Sequence, residues 1–562
     1  MTRARLGALV MLAVWTLPLP AFAQAPDDRV AIVVRVAGVS FEQLLGIREV
    51  AALARAGGAG LLANPADVVT LDGPPGSVER TVDLGHGPLG RPPDVGRDLR
   101  HNVEEVEAAE VLVIVLGVEP TADTRASKDE LAGVVLAFGA PERLFPASGE
   151  PGSLTSGSTR REGVVTGGDV RATLDAYLGG GPLVAGKLPA GEPIEVIQGP
   201  PPFELHERYL AQRRMYVPIG IAAALYVVGA GLLAVACLWL GERVPAGLRR
   251  SAGWACLSVP ALATGLLAAG HLPELSYATA VPFLAIVTVF GTMAFSPLGQ
   301  RSPFLVPAGI GVGVLAAFLL EAALGWSAAL TPFLGGSHLD GVRFSGLPNA
   351  YIGLLIGASV YVAHRLPTPT GVVLIGGVGL LAGLPYVGEN LGAGVSLFAA
   401  AGLWLAVRER ARLGRWRGVG AVLGVTVAGT AAILLAHAIS PLETHVARAQ
   451  EAAGGLEGVW DRIVERLQVG VELVDRNPAV LIPLLGLPVV LFVALRPPEP
   501  IRATLEGSPA WRDAVLVIAL AGIVAYVAND TGPAAAGLAF GLAAGGLLGV
   551  SLLPGAGKMG GP

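Results

Sequence analysis

Apolar and polar positions divide this chain near residue 216. Before that point the apolar runs are short and alternate with amphipathic stretches. RVAIVVRVAGV (29–39) is a short apolar run rich in β-branched residues, which predicts a buried strand. SFEQLLGIREVAALARAG follows with helical spacing, Ser40 serving as N-cap and Gly57 as the C-terminal stop. DLRHNVEEVEAAEVLVIVLG reads as a helix running into a strand. GVVTGGDVRATLDAYLG reads as a strand, a turn and a helix capped near Asp169. Strands alternating with helices predict an α/β domain over 25–215 with a largely parallel sheet and a Gly- and Pro-rich exit at 179–202.

From 216 to 562 the apolar segments lengthen into a polytopic membrane domain. About eleven spans of bilayer-crossing length are expected, at roughly 217–240, 251–270, 277–296, 303–323, 347–364, 371–387, 391–407, 418–440, 478–496, 512–529 and 533–554. Basic residues set the sidedness. With the α/β domain outside, the cytoplasmic loops hold Arg243, Arg249, Arg250, Arg301, Arg365, the arginines of 408–417, Arg496, Arg502, Arg512 and Lys558. The outer loops hold Arg343 and, in one long segment, Arg448, Arg462, Arg466 and Arg476. The positive-inside rule favours this orientation, with the C-terminus in the cytoplasm. The long outer segment 441–477 carries an amphipathic pattern, which suits a helix lying in the interface or one packed on the α/β domain.

Composition agrees. The chain is 52% hydrophobic and only 15% charged, with mean hydropathy +0.61. The net charge of −5 and the lack of a dense basic run in the N-terminal half exclude a nucleic-acid footprint. Residues 1–23 pattern as a signal peptide: Arg3 and Arg5, an apolar stretch, then Ala21-Phe22-Ala23. This predicts an exported N-terminal domain ahead of the membrane spans. The two cysteines, Cys237 and Cys256, fall in apolar segments and are expected to be free thiols in the core.

The unusual polar residues of the membrane half fall near the outer ends of the spans. Arg343, Asn349, Asn390, Arg448, Asn529 and Asp530 are candidates for holding a substrate, and Glu389 and His445 for acid–base chemistry. Four helix N-termini face the same side as Arg343, a setting that suits a phosphate or carboxylate. Two plainer explanations compete. Asn390, Asn477 and Thr531 have good capping chemistry, and Arg343 has Asp340, Glu321 and Glu389 as possible internal partners. No ligand spacing supports a metal site, and no cofactor is indicated. His271 and His364 read as interfacial residues.

GVRFSGLPN, PYVGENLGAG, THVARA and VANDTG resemble, in the same order, motifs of a family of uncharacterised bacterial polytopic proteins. LTSGSTRREGVVTGGDVRATLDAYLG (154–179) resembles the end of that family's exported domain, which looks like an alkaline-phosphatase or sulfatase-type fold. The resemblance covers most of the chain and implies an architecture, not a reaction. Asn349 is followed by Ala350 where the family has Glu, and GEN replaces G-A-N. The metal-ligand set of a true phosphatase is missing as well, so the resemblance implies a reduced, non-catalytic domain.

Two functions follow as expectations. The first is an envelope membrane protein that binds or transfers an anionic, lipid-linked or phosphate-bearing substrate at its outer face, with membrane lipid as its surroundings. The second is a non-enzymatic envelope binding or scaffold protein. A transporter would need polar residues continuing to the cytoplasmic side, and few are seen. Protein partners are not indicated.

Overall fold

The structure is a computed structural model. It describes residues 29–37, 41–63, 79–84, 99–100, 103, 110–118, 132–140, 143–144, 146, 148, 151–156, 158–178, 193–198, 202–334, 337–340, 346–440, 490–491, 493, 496–529 and 532–555. The expected signal peptide, the segment 441–477 and nearly all of the span expected at 478–496 lie outside the described residues.

The N-terminal part is built on an eight-stranded sheet. Its strands are β1 (Arg29–Ala37), β2 (Gly58–Ala63), β3 (Glu79–Leu84), β4 (Glu110–Val118), β5 (Ala132–Gly139), β6 (Gly152–Ser156), β7 (Val164–Thr166) and β8 (Ile194–Ile197). The order is β3-β1-β4-β5-β2-β6-β8, with β7 also beside β2. β1 pairs in parallel with β3 and β4, but β5 runs antiparallel to both β4 and β2. The sheet is therefore mixed rather than largely parallel. The apolar run of β1 is buried on both faces: Ile32 and Val34 point to one layer, Ala31 and Val33 to the other. β4 alternates the same way, with Val111, Val113 and Val115 opposite Leu112, Ile114 and Leu116. Strands covered on both faces lose the polar alternation of a half-buried strand and read as continuous apolar runs.

The expected helix after β1 is two helices, α1 (Phe41–Leu45) and α2 (Arg48–Ala56), broken at Gly46-Ile47. Gly57 ends α2 as expected. A Cβ there would sit 2.0 Å from the Leu136 carbonyl oxygen, so only glycine lets the chain turn onto β5. α3 (Gly167–Leu178) covers the opposite face through Val170 and Leu174.

α4 (Phe203–Leu240) joins the two parts without a break. Its first turns belong to the α/β core. Tyr209 is buried with Phe41 and Val113, and His206 Nδ1 lies 2.8 Å from Glu42 Oε1. Leu339, from the helical part, joins the same core. At 1.5 Å per residue, α4 spans roughly 57 Å, enough to leave the domain and cross a bilayer.

The bundle continues with α5 (Ala246–Leu257), α6 (Val259–Ala268), α7 (Tyr277–Met293), α8 (Ser296–Arg301), α9 (Leu305–Ala323), α10 (Ile352–Ala363), α11 (Thr368–Gly383), α12 (Leu391–Arg408), α13 (Arg410–Ala438), α14 (Glu499–Gly507), α15 (Pro509–Ala528) and α16 (Gly532–Leu552). Among the described residues, seven helices are long and apolar enough to cross a membrane, or eight if the bent pair α5–α6 is one span. α10 and α11 are apolar but shorter. This is a mostly helical chain with the character of a multi-pass membrane protein. The two cysteines are free and buried.

Candidate functional site

The α/β domain meets one end of the bundle along a polar seam. The loop between β6 and β7 supplies the domain's side, and its shape is set locally. Thr166 Oγ1 accepts from the Asp169 N–H at 3.2 Å, while Asp169 Oδ2 accepts from the Thr166 N–H at 2.8 Å. This is a reciprocal capping box at the start of α3. Asp169 is fully buried and also accepts from Ser156 Oγ at 2.8 Å and from Ser158 Oγ. Thr159 Oγ1 donates to the Val164 carbonyl at 2.7 Å. A loop folded around one carboxylate has its Ser and Thr side chains turned inward, and its arginines are left to point out.

Arg160, at φ +52°, is one of the few non-glycine residues in the left-handed region. Its Nη2 donates to both oxygens of Glu389, at 2.8 and 2.6 Å. Glu389 is itself left-handed at φ +47° and its side chain is 4% exposed. It lies in the turn between α11 and α12, where Oε1 also accepts from the Tyr386 N–H at 3.3 Å. Arg161 Nη2 donates to the Gly325 carbonyl at 2.8 Å and lies 3.5 Å from His338 Nδ1. Burial, then the neighbouring Arg160 charge, lowers the Arg161 pKa, with Glu389 acting in the opposite direction.

Behind this pair, Asn390 ties three segments together. Its Oδ1 caps α12 by accepting from the Ala393 N–H at 3.0 Å. Its Nδ2 donates to the Leu347 carbonyl at 2.9 Å and to Asn349 Oδ1 at 2.8 Å. Asn529 is buried after α15, with Nδ2 donating to the Ala525 carbonyl at 2.8 Å and reaching Ser396 Oγ at 3.4 Å. Four sequence-predicted residues, Asn349, Glu389, Asn390 and Asn529, thus gather at the seam end of the bundle. In their described contacts Asn349 and Asn390 bind each other, Glu389 binds Arg160, and Asn529 binds Ser396 and the backbone. Arg343, His445, Arg448 and Asp530 lie outside the described residues.

A second feature of the seam was not read from the sequence as a site. A cavity of about 400 Å³ opens between the β6–β7 region, the start of α4 and the 269–331 connections. Ser153, Glu162, Arg208, His271 and Thr331 are among the residues lining it. The His271 imidazole is 37% exposed, and its Nε2 lies against Glu321 Oε1, a carboxylate buried near the end of α9. The hydroxyl oxygens of Ser153 and Thr331 are buried and make no hydrogen bond among the described residues. The same is true of Glu321 Oε2. The only signals in the sequence were a histidine at a span end and a glutamate inside a span, fifty positions apart. His364, read as interfacial, is buried with its ring against Trp511 at 5.1 Å. Among the described residues, no group of three or more His, Cys, Asp or Glu side chains is arranged to hold a metal ion.

No protein-family model, curated protein or solved structure matches this chain.

Proposed function

We propose that this is a multi-pass protein of the bacterial cytoplasmic membrane that acts as an envelope binding protein, with its seam cavity as the ligand site. The α/β domain faces out and the C-terminus faces in, an orientation supported by the arginine distribution along the sequence. Of the eleven spans, those at α10, α11 and 478–496 rest on the hydropathy pattern alone. The alkaline-phosphatase-like ancestry of the domain rests on the motif resemblance.

The binding reading is carried by the cavity itself, whose lining brings Glu162 of the β6–β7 loop, Arg208 of α4 and His271 together. A cavity lined by carboxylates, a guanidinium and an imidazole suits a polar ligand bearing hydroxyl or amide groups. Glu162 and Glu204 stand beside Arg208 and His271 on the wall, so charge does not select an anion there. An anionic, lipid-linked substrate would depend on Arg343 and Arg448. Transfer chemistry through Glu389 is disfavoured, because Arg160 engages both of its oxygens. A second, enzymatic reading has one observation in its favour. His271, backed by the buried Glu321, is the arrangement of an oriented imidazole that takes a proton.

Native mass spectrometry of the detergent-purified full chain tests these readings. A co-purifying polar molecule is expected on wild type and lost from Ser327→Leu, which fills the cavity. Identical spectra from the two folded proteins would remove the cavity reading. Loss of an anionic lipid in Arg343→Ala would instead favour the anion site. Turnover of the bound molecule that stops in His271→Asn, with binding retained, would make the protein an enzyme.

A further inference from the structure

The opposite end of the bundle holds a second cavity, of about 540 Å³, between α12, α13 and α15. Its deeper walls are apolar, including Leu403, Val422 and Leu516. Its mouth is lined by Arg410, Arg415 and Arg512, all exposed. The backbone keeps the space open. Gly414 breaks α13 with φ 64° and ψ −178°, and a Cβ there would meet nothing within 4 Å. At Gly418 a Cβ would reach only the Ala406 methyl, at 3.6 Å.

The acid that lines the cavity is already engaged. Asp513, buried near the start of α15, is held by Arg410 at 3.0 Å and Arg408 at 3.4 Å. Glu409 pairs with Arg412 at 3.1 Å. Among the described residues, neither Arg415 nor Arg512 has a carboxylate partner, so the mouth keeps a surplus of positive charge. Trp416 is 78% exposed beside Arg415, whose guanidinium lies 5.4 Å from the indole ring. Below it Leu423 and Val427 are exposed. Exposed Trp and Arg above exposed aliphatic residues mark the membrane–water boundary, so the cavity has its charged mouth at headgroup level and its apolar walls at acyl-chain level.

We infer that this cavity binds an anionic phospholipid, its phosphate between Arg415 and Arg512 and an acyl chain along Leu403, Val422 and Leu516. A free anion would leave the apolar walls unfilled, and an uncharged lipid would leave the guanidiniums unanswered. Basic pockets between membrane helices recognise lipid headgroups on this basis. Bidentate guanidinium contacts supply the preference for phosphate. The site is independent of the seam cavity.

The test is lipid titration by native mass spectrometry on the delipidated full chain. Phosphatidylglycerol, phosphatidylcholine and inorganic phosphate serve as probes. Wild type is expected to retain phosphatidylglycerol at least tenfold more tightly than phosphatidylcholine, with no competition from phosphate. Arg415→Gln/Arg512→Gln should erase that preference. Gly418→Leu keeps every charge and fills the groove; it should weaken phosphatidylglycerol binding by a similar factor. Unchanged binding in either folded variant overturns the inference. So does equal affinity for phosphatidylcholine, and so does displacement by phosphate, which would make this a site for a free anion.

Discussion

The two ends of the helix bundle use the same residue types in opposite ways. At the seam, glycines touch backbone and side-chain polar atoms directly. A Cβ on Gly392 would lie 2.0 Å from Asn529 Oδ1, and one on Gly346 2.3 Å from the Gly388 carbonyl oxygen. Around the arginine-lined cavity, Gly414 faces open space and Gly418 meets only the Ala406 methyl. Arginine differs likewise. Arg160 is a strut carried in from the α/β domain and set against a buried acid. Arg415 and Arg512 are rim groups on an open groove. A closed end suits the fixing of one domain on another, and an open end suits an exchangeable occupant from the membrane.

The largest effect should come from forcing the closed end apart. Gly392→Val places a branched side chain against Asn529 and the Ala528 carbonyl at the start of α12. Overpacking of this kind costs about 3 kcal/mol, the upper end of the usual range, because the overlap is with backbone. We expect loss of folded protein in detergent, read by size-exclusion chromatography. Gly418→Ala at the open end should leave the elution profile unchanged. Equal behaviour of the two variants would erase the distinction between the ends.

Arg160→Ala comes next. It strands the buried Glu389 carboxylate, and breaking a buried pair costs about 3 kcal/mol, with the lower end expected because Arg160 is itself 28% exposed. The thermal midpoint should fall, and limited proteolysis should cut the seam loops sooner. Arg160→Glu/Glu389→Arg should recover part of the loss. A swap that recovers nothing would mean that the pair is not the fastener.

This fastener shows where sequence reading ended. The strand of β1, the stop at Gly57 and the α3 start near Asp169 were legible because each is dictated by neighbours within a few positions. Thr166 and Asp169 form their capping box three residues apart. The Arg160–Glu389 pair joins positions 229 apart, and no local pattern announces it. The mixed sheet was missed for a related reason. β5, AGVVLAFG, carries no alternation, because it is buried between β4 and β2 and antiparallel to both. Among the site residues, the span-end clustering of Asn349, Glu389, Asn390 and Asn529 was legible from span positions. Their engagement by caps, by Arg160 and by nearby backbone was not, since capping and ligand binding draw on the same residue types.

Asn390→Ala should have a middling effect. It removes the α12 cap and the two hydrogen bonds donated to Asn349 Oδ1 and the Leu347 carbonyl. A cap together with buried bonds amounts to about 2 kcal/mol. The thermal midpoint should fall by less than in Arg160→Ala. Asn390→Asp tests the parts separately: it keeps the acceptor for the Ala393 N–H and loses the donors. A midpoint equal to wild type would show that the cap alone matters.

The smallest effect should be that of Arg412→Ala. Arg412 also donates to a carboxylate, Glu409, at 3.1 Å, close to the distances of the Arg160 pair. The surroundings differ: its side chain is 84% exposed, the acid is one helical turn away, and water solvates both when the contact opens. Such pairs are worth no more than about 0.5 kcal/mol and weaken further in salt. The thermal midpoint of Arg412→Ala should match wild type at moderate salt, while that of Arg160→Ala stays depressed. If both variants lost stability alike, and salt abolished both losses, the seam pair would be an ordinary surface contact. The closed end would then owe its order to its glycines and asparagines rather than to the arginine set against Glu389.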